Sequence, residues 1–153
     1  MKALIVDDEQ INRYLLTAFM KRLNVSAQLE FAENGRDAVE KFQAALTDRC
    51  PYDLVIIDYQ MPLMNGVDAI RRIRALEMNT GADTPKCTIC LSSSEWHIVE
   101  TATGLIDNDE KFCMLPKPIN FNELKRIYFA STANNFPAGS RKTINCSAYC
   151  EET

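Results

Sequence analysis

One stretch decides the fold of the 153-residue chain: Leu54–Gly66, LVIIDYQMPLMNG. Four apolar residues, three of them β-branched, run directly into the carboxylate of Asp58, and Pro62 and Gly66 mark the loop that follows. A continuous apolar run is typical of a strand buried on both faces of a parallel sheet. Asp58 then lies at the carboxyl end of that strand, where open α/β sheets bind ligands. Because desolvation penalises a lone carboxylate, we expect a metal ion or another cation beside it.

The length and the net charge of the chain exclude several classes of protein. The length suits one domain with a real core. A net charge of -4 argues against direct binding of nucleic acid by this chain alone. No apolar run approaches the roughly 18 residues of a membrane span, which argues against membrane insertion. The first residues lack the apolar region of a signal peptide, so we expect a cytoplasmic protein.

On both sides of the central strand, apolar patterns typical of strands alternate along the chain with patterns typical of helices. Strands are predicted at Ala3–Val6, Ala27–Phe31, Leu54–Asp58, Thr88–Leu91 and Phe112–Leu115. Helices are predicted at about 10–24, at 38–46, from Gly66 onward and at about 95–105. A loop is predicted at 78–86, and a last helix is predicted to begin after Asn120, which caps it. Five strands alternating with five helices predict a doubly wound α/β domain, with parallel strands and helices on both faces.

Polar side chains follow four of the five predicted strands. They are Asp7 with Asp8, Asp58, Ser92 with Ser93, and Lys117. Three carboxylates at one edge of a sheet would repel each other, and Mg²⁺ resolves this because it prefers a few carboxylates, a carbonyl and retained waters. A lysine and a hydroxyl opposite the metal suit the oxygens of a phosphoryl group. A carboxylate can itself be the nucleophile, which gives an aspartyl phosphate.

Four motifs together resemble the receiver domain of two-component response regulators, of the stand-alone chemotaxis-regulator-like type. They are Val6–Glu9, Ile57–Pro62 with Asn65-Gly66, Leu91–Ser93 and Leu115–Pro118, in this order. The resemblance covers about residues 1–131 and implies a flavodoxin-like (βα)5 fold with the strand order 2-1-3-4-5. Residues 132–153 are then expected to be a C-terminal tail without an output domain.

The resemblance also implies a metal site. Asp8 and Asp58 resemble direct ligands of Mg²⁺, and the backbone carbonyl of Gln60 resembles the third. Asp7 resembles a ligand that acts through water.

The resemblance further implies the residues of phosphoryl transfer. Asp58 resembles the phosphoacceptor, Ser92 the hydroxyl that bonds the phosphoryl group, and Lys117 the lysine that pairs with its oxygens. The Lys117–Pro118 peptide resembles the family's cis bond. The implied chemistry is transfer to the chain's own aspartate and autodephosphorylation, so the chain is not expected to be an enzyme on external substrates.

The implied partners are proteins. The phosphoryl donor would be the phosphohistidine of a sensor histidine kinase or of a histidine phosphotransfer protein, in a two-component phosphorelay. The output would be altered binding to a downstream protein target. The family also implies, as an option, a homodimer through the face of the fourth helix, the fifth strand and the fifth helix.

Two other functions stay open at this point. Met114 stands where the family usually has Tyr or Phe, which leaves room for a phosphorylation-independent interaction module with a receiver fold. A metal-dependent phosphatase with an aspartate nucleophile usually carries a second carboxylate two residues later, and Gln60 at that position argues against this function. Gln60 and Ser94 occupy positions that tune dephosphorylation in the family.

Other conspicuous residues have structural interpretations. Cys87, Cys90 and Cys113 fall in predicted strands, where cysteine fills the core, and Cys87 and Cys90 would face opposite sides of the sheet. Cys146 and Cys150 lie in the expected tail. The arginines of the third helix, Arg71, Arg72 and Arg74, are predicted to form a solvated face, and the single histidine, His97, is predicted to be solvated.

Overall fold

A computed structural model of the protein describes residues 1–23, 26–81, 86–95 and 109–132. The strands are β1 (Lys2–Val6), β2 (Gln28–Ala32), β3 (Leu54–Asp58), β4 (Thr88–Ser93) and β5 (Phe112–Pro116). The helices in these ranges are α1 (Gln10–Arg22), α2 (Gly35–Thr47), α3 (Gly66–Thr80) and α4 (Phe121–Thr132). The strands form one parallel sheet in the order β2-β1-β3-β4-β5. The predicted flavodoxin-like sheet is confirmed.

The sheet is covered on both faces. Alternate residues of a strand point to opposite faces, and β3 separates accordingly: Ile57 packs with α2 and α3, whereas Ile56 packs with α1 and α4. All five residues of β3 are buried. The continuous apolar run therefore belongs to a central strand, and it carries Asp58 to the carboxyl edge of the sheet.

Asparagine side chains cap α2, α3 and α4 at their first turns. Asn34 and Asn65 accept hydrogen bonds from backbone N–H groups in the first turns of α2 and α3, each at 2.9 Å. Asn120 accepts from the backbone N–H of Asn122 at 2.8 Å, as expected for the predicted cap. Such caps satisfy N–H groups that have no partner inside the helix, so the loops before α2, α3 and α4 end at defined positions.

Two predictions about α3 are wrong. The helix extends to Thr80, whereas the sequence predicted a loop from residue 78. Its last three residues, 78–80, are all exposed, so no buried apolar periodicity indicated this part of the helix. Arg74 does not belong to a solvated face. Its guanidinium contacts Asp109 at 2.5 Å and Glu77 at 2.7 Å, and it donates to the backbone carbonyl of Cys87 at 2.8 Å. The side chain is only 14% exposed, and it ties α3 to the beginnings of β4 and β5.

Some predictions fall outside the described residues. They are the helix at about 95–105, His97, and the tail with Cys146 and Cys150. Within the described ranges, no helix combines the length and the apolar character needed to cross a membrane.

Candidate functional site

The three predicted carboxylates converge at the carboxyl edge of the sheet. β1 and β3 are neighbours, with Val6 opposite Ile57, so Asp7 and Asp58 extend from adjacent strands. Carboxylate oxygens of Asp7, Asp8 and Asp58 all lie within 4.8 Å of one another. Asp7 is 2% exposed and Asp58 is 6% exposed, whereas Asp8 faces solvent. The cluster offers oxygen ligands only, which is the donor set that a hard divalent cation such as Mg²⁺ takes.

Lys117, which directly follows β5, reaches into this cluster. Its Nζ lies 2.9 Å from Oδ1 of Asp58 and 3.1 Å from Oδ2 of Asp7. Burial raises the pKa of Asp58, and the charge of Lys117 offsets only part of that effect. Burial alone would lower the pKa of Lys117, but the two carboxylates outweigh burial and raise the pKa above its ordinary value. The lysine therefore stays charged between the two acids at neutral pH.

Ser92 lies on the strand next to Asp58. The register of β3 and β4 places Ser92 opposite Asp58, and the serine is 2% exposed. Its Oγ finds no hydrogen-bond partner among the residues that the structure describes. A buried hydroxyl without a partner is costly, and an acceptor oxygen bound at this edge would satisfy it. Ser93, by contrast, accepts a hydrogen bond from the backbone N–H of Glu95 at 3.0 Å.

The beginning of α1 holds Asp7 in place through residues that the sequence analysis missed. Oδ1 of Asp7 accepts from the side-chain amide of Asn12 at 3.1 Å and from the backbone N–H of Glu9 at 2.9 Å. Arg13 donates to the backbone carbonyl of Asp7 at 2.6 Å and to Glu33 at 3.0 Å. Asn12 and Arg13 follow the acidic pair by about one helical turn, and this spacing is the signal that could have identified them.

Gly66 brings α3 close to the acceptor strand. A Cβ atom at this position would lie 2.3 Å from the backbone carbonyl oxygen of Asp58, a separation that real structures do not show. The backbone N–H of Gly66 donates to the carbonyl of Tyr59 at 2.9 Å. Glycine is therefore required here because the backbones approach each other closely.

An open pocket of about 420 Å³ borders Asp8, one of the three carboxylates. Its lining consists of Asp8 and residues of the loop after β3: Tyr59, Gln60, Met61, Pro62 and Asn65. At this side of the sheet, the amide of Gln60 donates to the carboxylate of Glu95 at 3.1 Å. The pocket leaves Asp8 accessible, so a metal ion or a reacting group can enter from solvent.

Two features of β5 and the residues after it bear on the resemblance to receiver domains. The Lys117–Pro118 peptide is cis, as the resemblance implied. Met114, which departs from the family's aromatic residue, packs partly buried against the core between the sheet and the α2–α3 layer.

Fold and site together define a doubly wound α/β domain with an acidic, lysine-containing centre at the carboxyl edge of its sheet. The chain belongs to the response regulator receiver domain family, whose sequence profile matches residues 3–128. The family places the chain in two-component signalling.

Relatives and solved structures agree with this assignment. The chain is 36% identical over 149 residues to the response regulator SSK1 of Arthrobotrys oligospora, an alignment that covers 82% of this chain and 13% of that protein. The chain therefore spans only a small part of this longer relative.

Two solved structures share the fold. The structure of the Saccharomyces cerevisiae Ssk1 receiver domain, co-crystallised with the histidine phosphotransfer protein Ypd1, gives a TM-score of 0.70 at 21% identity and covers 93% of this chain and 97% of that one. The receiver domain of the sensor histidine kinase PA1611 from Pseudomonas aeruginosa, with a magnesium ion in its active site cleft, gives a TM-score of 0.63 at 23% identity over 82% and 92% of the two chains.

Proposed function

We propose that this chain is a phosphorylation-dependent switch in which Asp58 accepts a phosphoryl group from a phosphohistidine of a partner protein. The contact of Lys117 with Asp58 and Asp7, at 2.9 and 3.1 Å, is the observation that carries the proposal. The hydroxyl of Ser92, without a partner among the described residues, supports it independently. A site built only for structural charge balance would not need a buried, unpartnered hydroxyl on the residue opposite Asp58.

The residues divide the chemistry between them. A carboxylate oxygen of Asp58 attacks phosphorus, the bond between phosphorus and the donor's imidazole nitrogen breaks, and the electron pair of that bond stays on the nitrogen. Lys117 neutralises charge on the phosphoryl oxygens, and Ser92 donates its hydroxyl hydrogen to one of them. Water later hydrolyses the acyl phosphate. These reactions on its own aspartate are the only catalysis that we propose.

The acidic cluster would hold Mg²⁺ during this transfer. We propose Asp8, Asp58 and the backbone carbonyl of Gln60 as direct ligands and Asp7 as a ligand through water. When bound, the ion offsets negative charge on the phosphoryl oxygens and orients them. The oxygen-only donor set and the access through the pocket beside Asp8 support this assignment.

An apolar patch on α1 is the proposed docking surface for the histidine kinase or histidine phosphotransfer protein. Ile11, Tyr14 and Leu15 are 69%, 61% and 40% exposed, although they are large apolar side chains. Exposed apolar patches of this kind mark interaction sites. The patch begins three residues after Asp8, so a partner bound there would reach the acidic cluster with a phosphohistidine.

The Ile11→Glu variant tests this surface, with Phe129→Glu as a matched control at an exposed apolar residue of α4. We expect Ile11→Glu to slow transfer from a phosphorylated histidine phosphotransfer protein and to leave labelling by a small phosphodonor unchanged. Equal transfer to both variants would contradict the docking proposal without affecting the proposed chemistry at Asp58.

We further propose that the receiver unit spans residues 1–131, followed by a tail, and that phosphorylation changes binding to a downstream protein. As a separate interaction, we propose a homodimer through β5 and α4, and sedimentation of the chain before and after phosphorylation tests it.

Chemical trapping identifies the acceptor directly. After labelling with phosphoramidate and Mg²⁺, borohydride reduces an aspartyl phosphate to homoserine, and fragment-ion masses of the tryptic peptide 50–71 locate the change. Reduction at residue 58 is expected. Reduction at Asp53 or Asp68 of the same peptide would overturn the assignment.

A further inference from the structure

A pair of cysteines lies beneath the acidic site. The register of β4 and β5 places Cys90 directly opposite Cys113, and their Sγ atoms are 2.7 Å apart as free thiols. Neighbouring strands are separated by about 4.8 Å, which falls within the Cα separation of roughly 4.4–6.8 Å that disulfides require. Both side chains contribute to the core under α1 and α4. The backbone therefore already holds the two sulfur atoms where a bond between them can form.

The two thiols differ in access. Cys90 is fully buried, and burial raises the pKa of its thiol well above the ordinary value, so it does not react readily with a reagent from solvent. Cys113 is only partly buried and lies on β5, which is the last strand in the sheet order. An oxidant that approaches this edge of the sheet meets Cys113 first.

We propose that Cys90 and Cys113 form a redox-reactive site that closes to an intramolecular disulfide when the protein meets a hydroperoxide. The sulfur of Cys113 attacks the terminal peroxide oxygen, the O–O bond breaks, and Cys113 becomes a sulfenic acid; the proton of its thiol goes to the departing oxygen, which leaves as an alcohol or water. The sulfur of Cys90 then attacks that of Cys113, and the sulfenic oxygen leaves as water with the proton of the Cys90 thiol. Two thiols lose two electrons in total, and the hydroperoxide gains them.

The disulfide would act on the phosphoryl site, and this consequence rests on the proposed function. Ser92 follows Cys90 by two residues within β4, so both side chains lie on the same face of the sheet, and Lys117 directly follows β5, which carries Cys113. A bond between the cysteines would restrain the strand ends that carry both groups. We expect the oxidised chain to accept a phosphoryl group several-fold more slowly than the reduced chain, with full recovery after reduction.

Peptide mapping of the full chain without reductant tests the disulfide. Trypsin cleaves after Lys86, Lys111 and Lys125, so Cys90 and Cys113 fall in the peptides 87–111 and 112–125. After treatment with hydrogen peroxide, the two peptides are expected to be linked. Cys87 shares the first peptide but packs on the opposite face of the sheet, so Cys87→Ala is the matched control and should keep the link.

Two variants test whether the link joins Cys90 to Cys113. Cys113→Ala should give no linked peptide, and Cys90→Ala should instead accumulate a sulfenic acid on Cys113 that dimedone traps. No link in the folded wild-type chain, or a link that persists in Cys90→Ala, would overturn the disulfide.

Labelling by acetyl phosphate is then compared for oxidised and reduced protein. Equal rates with the disulfide in place would overturn the regulatory consequence, whereas failure of the reduced protein to label would count against the proposed function.

Discussion

The ammonium group of Lys117 lies 2.9 Å from Oδ1 of Asp58, and the same nitrogen lies 3.1 Å from Oδ2 of Asp7. The two acids are nearly buried, and among the described residues Lys117 is the cation that lies between their carboxylates. The lysine is therefore expected to serve both the stability of the resting protein and the transfer reaction.

Replacing Lys117 with alanine tests this double role. The change leaves two buried carboxylates without their cation, so we expect a loss of about 1–3 kcal/mol in the free energy of unfolding at neutral pH. Phosphoryl uptake should be strongly reduced. Added Mg²⁺ should stabilise the variant more than the wild type, because the ion takes over charge compensation. Chemical denaturation with and without Mg²⁺ measures this difference.

The exposed Lys125, on α4, supplies the control for that experiment. Lys125→Ala should behave like the wild type in both stability and phosphoryl uptake. A Lys117→Ala variant with unchanged uptake would contradict the role that we give to the lysine.

Asn12 is expected to support metal binding through Asp7. Its amide bonds Oδ1 of Asp7 at 3.1 Å, and loss of such a supporting contact typically lowers metal affinity by about 10- to 100-fold. Asn12→Ala should therefore weaken Mg²⁺ binding in titration calorimetry. Labelling should slow at low Mg²⁺ and recover at saturating Mg²⁺, which a general loss of structure would not do. Gln10→Ala, at an exposed residue of the same helix, should leave both measurements unchanged.

Gly66 should not tolerate a side chain. The added methyl group of Gly66→Ala would meet the carbonyl oxygen of Asp58 at 2.3 Å and a methyl carbon of Leu91 at 2.8 Å, so the acceptor strand or α3 must shift. We expect destabilisation by about 1–3 kcal/mol, as for other overpacked sites. Thermal unfolding compared with Arg72→Ala, an exposed substitution on α3, measures the effect. Equal melting temperatures for Gly66→Ala and Arg72→Ala would show that the protein tolerates a side chain at residue 66.

Asp109 should contribute a pH-dependent part of the stability. Burial alone would raise its pKa, but Lys86 at 2.7 Å and Arg74 at 2.5 Å outweigh burial and lower the pKa. A carboxyl group with a depressed folded-state pKa stabilises the fold above its unfolded pKa of about 3.9, and this contribution is lost as the pH falls through the folded-state pKa.

Asp109→Asn should therefore destabilise the protein by about 1–3 kcal/mol at pH 7, and the difference from the wild type should shrink in acid. Urea unfolding at a series of pH values provides the measurement. Glu40→Gln, which removes an exposed ion pair with Arg36, should change the stability little at any pH. If the difference in unfolding free energy between Asp109→Asn and the wild type did not change with pH, the charge of Asp109 would not be what stabilises the fold.

The sequence predicted the sheet, and which side chains meet at its carboxyl edge, because both depend on local patterns. Apolar runs indicated the five strands, and each run that ended in Asp7, Asp58, Ser92 or Lys117 placed that residue at the same edge once the strands were parallel. Local pattern could not indicate Arg74, because its main acidic partner, Asp109, lies 35 residues away and an arginine on a helix is usually solvated. The contact of Cys90 with Cys113 likewise depends on the register of β4 and β5, which no local motif specifies.

The mass of the intact chain after incubation with acetyl phosphate and Mg²⁺ tests the central claim most directly, with Asp58→Asn as the control. Asparagine is nearly the same size as aspartate, so the variant should keep the fold, and circular dichroism verifies this. We predict one phosphoryl adduct on the wild type, dependent on Mg²⁺, and none on Asp58→Asn. An adduct of equal yield on the folded variant, or no adduct on a wild-type chain that binds Mg²⁺, would contradict the assignment of Asp58 as the phosphoryl acceptor.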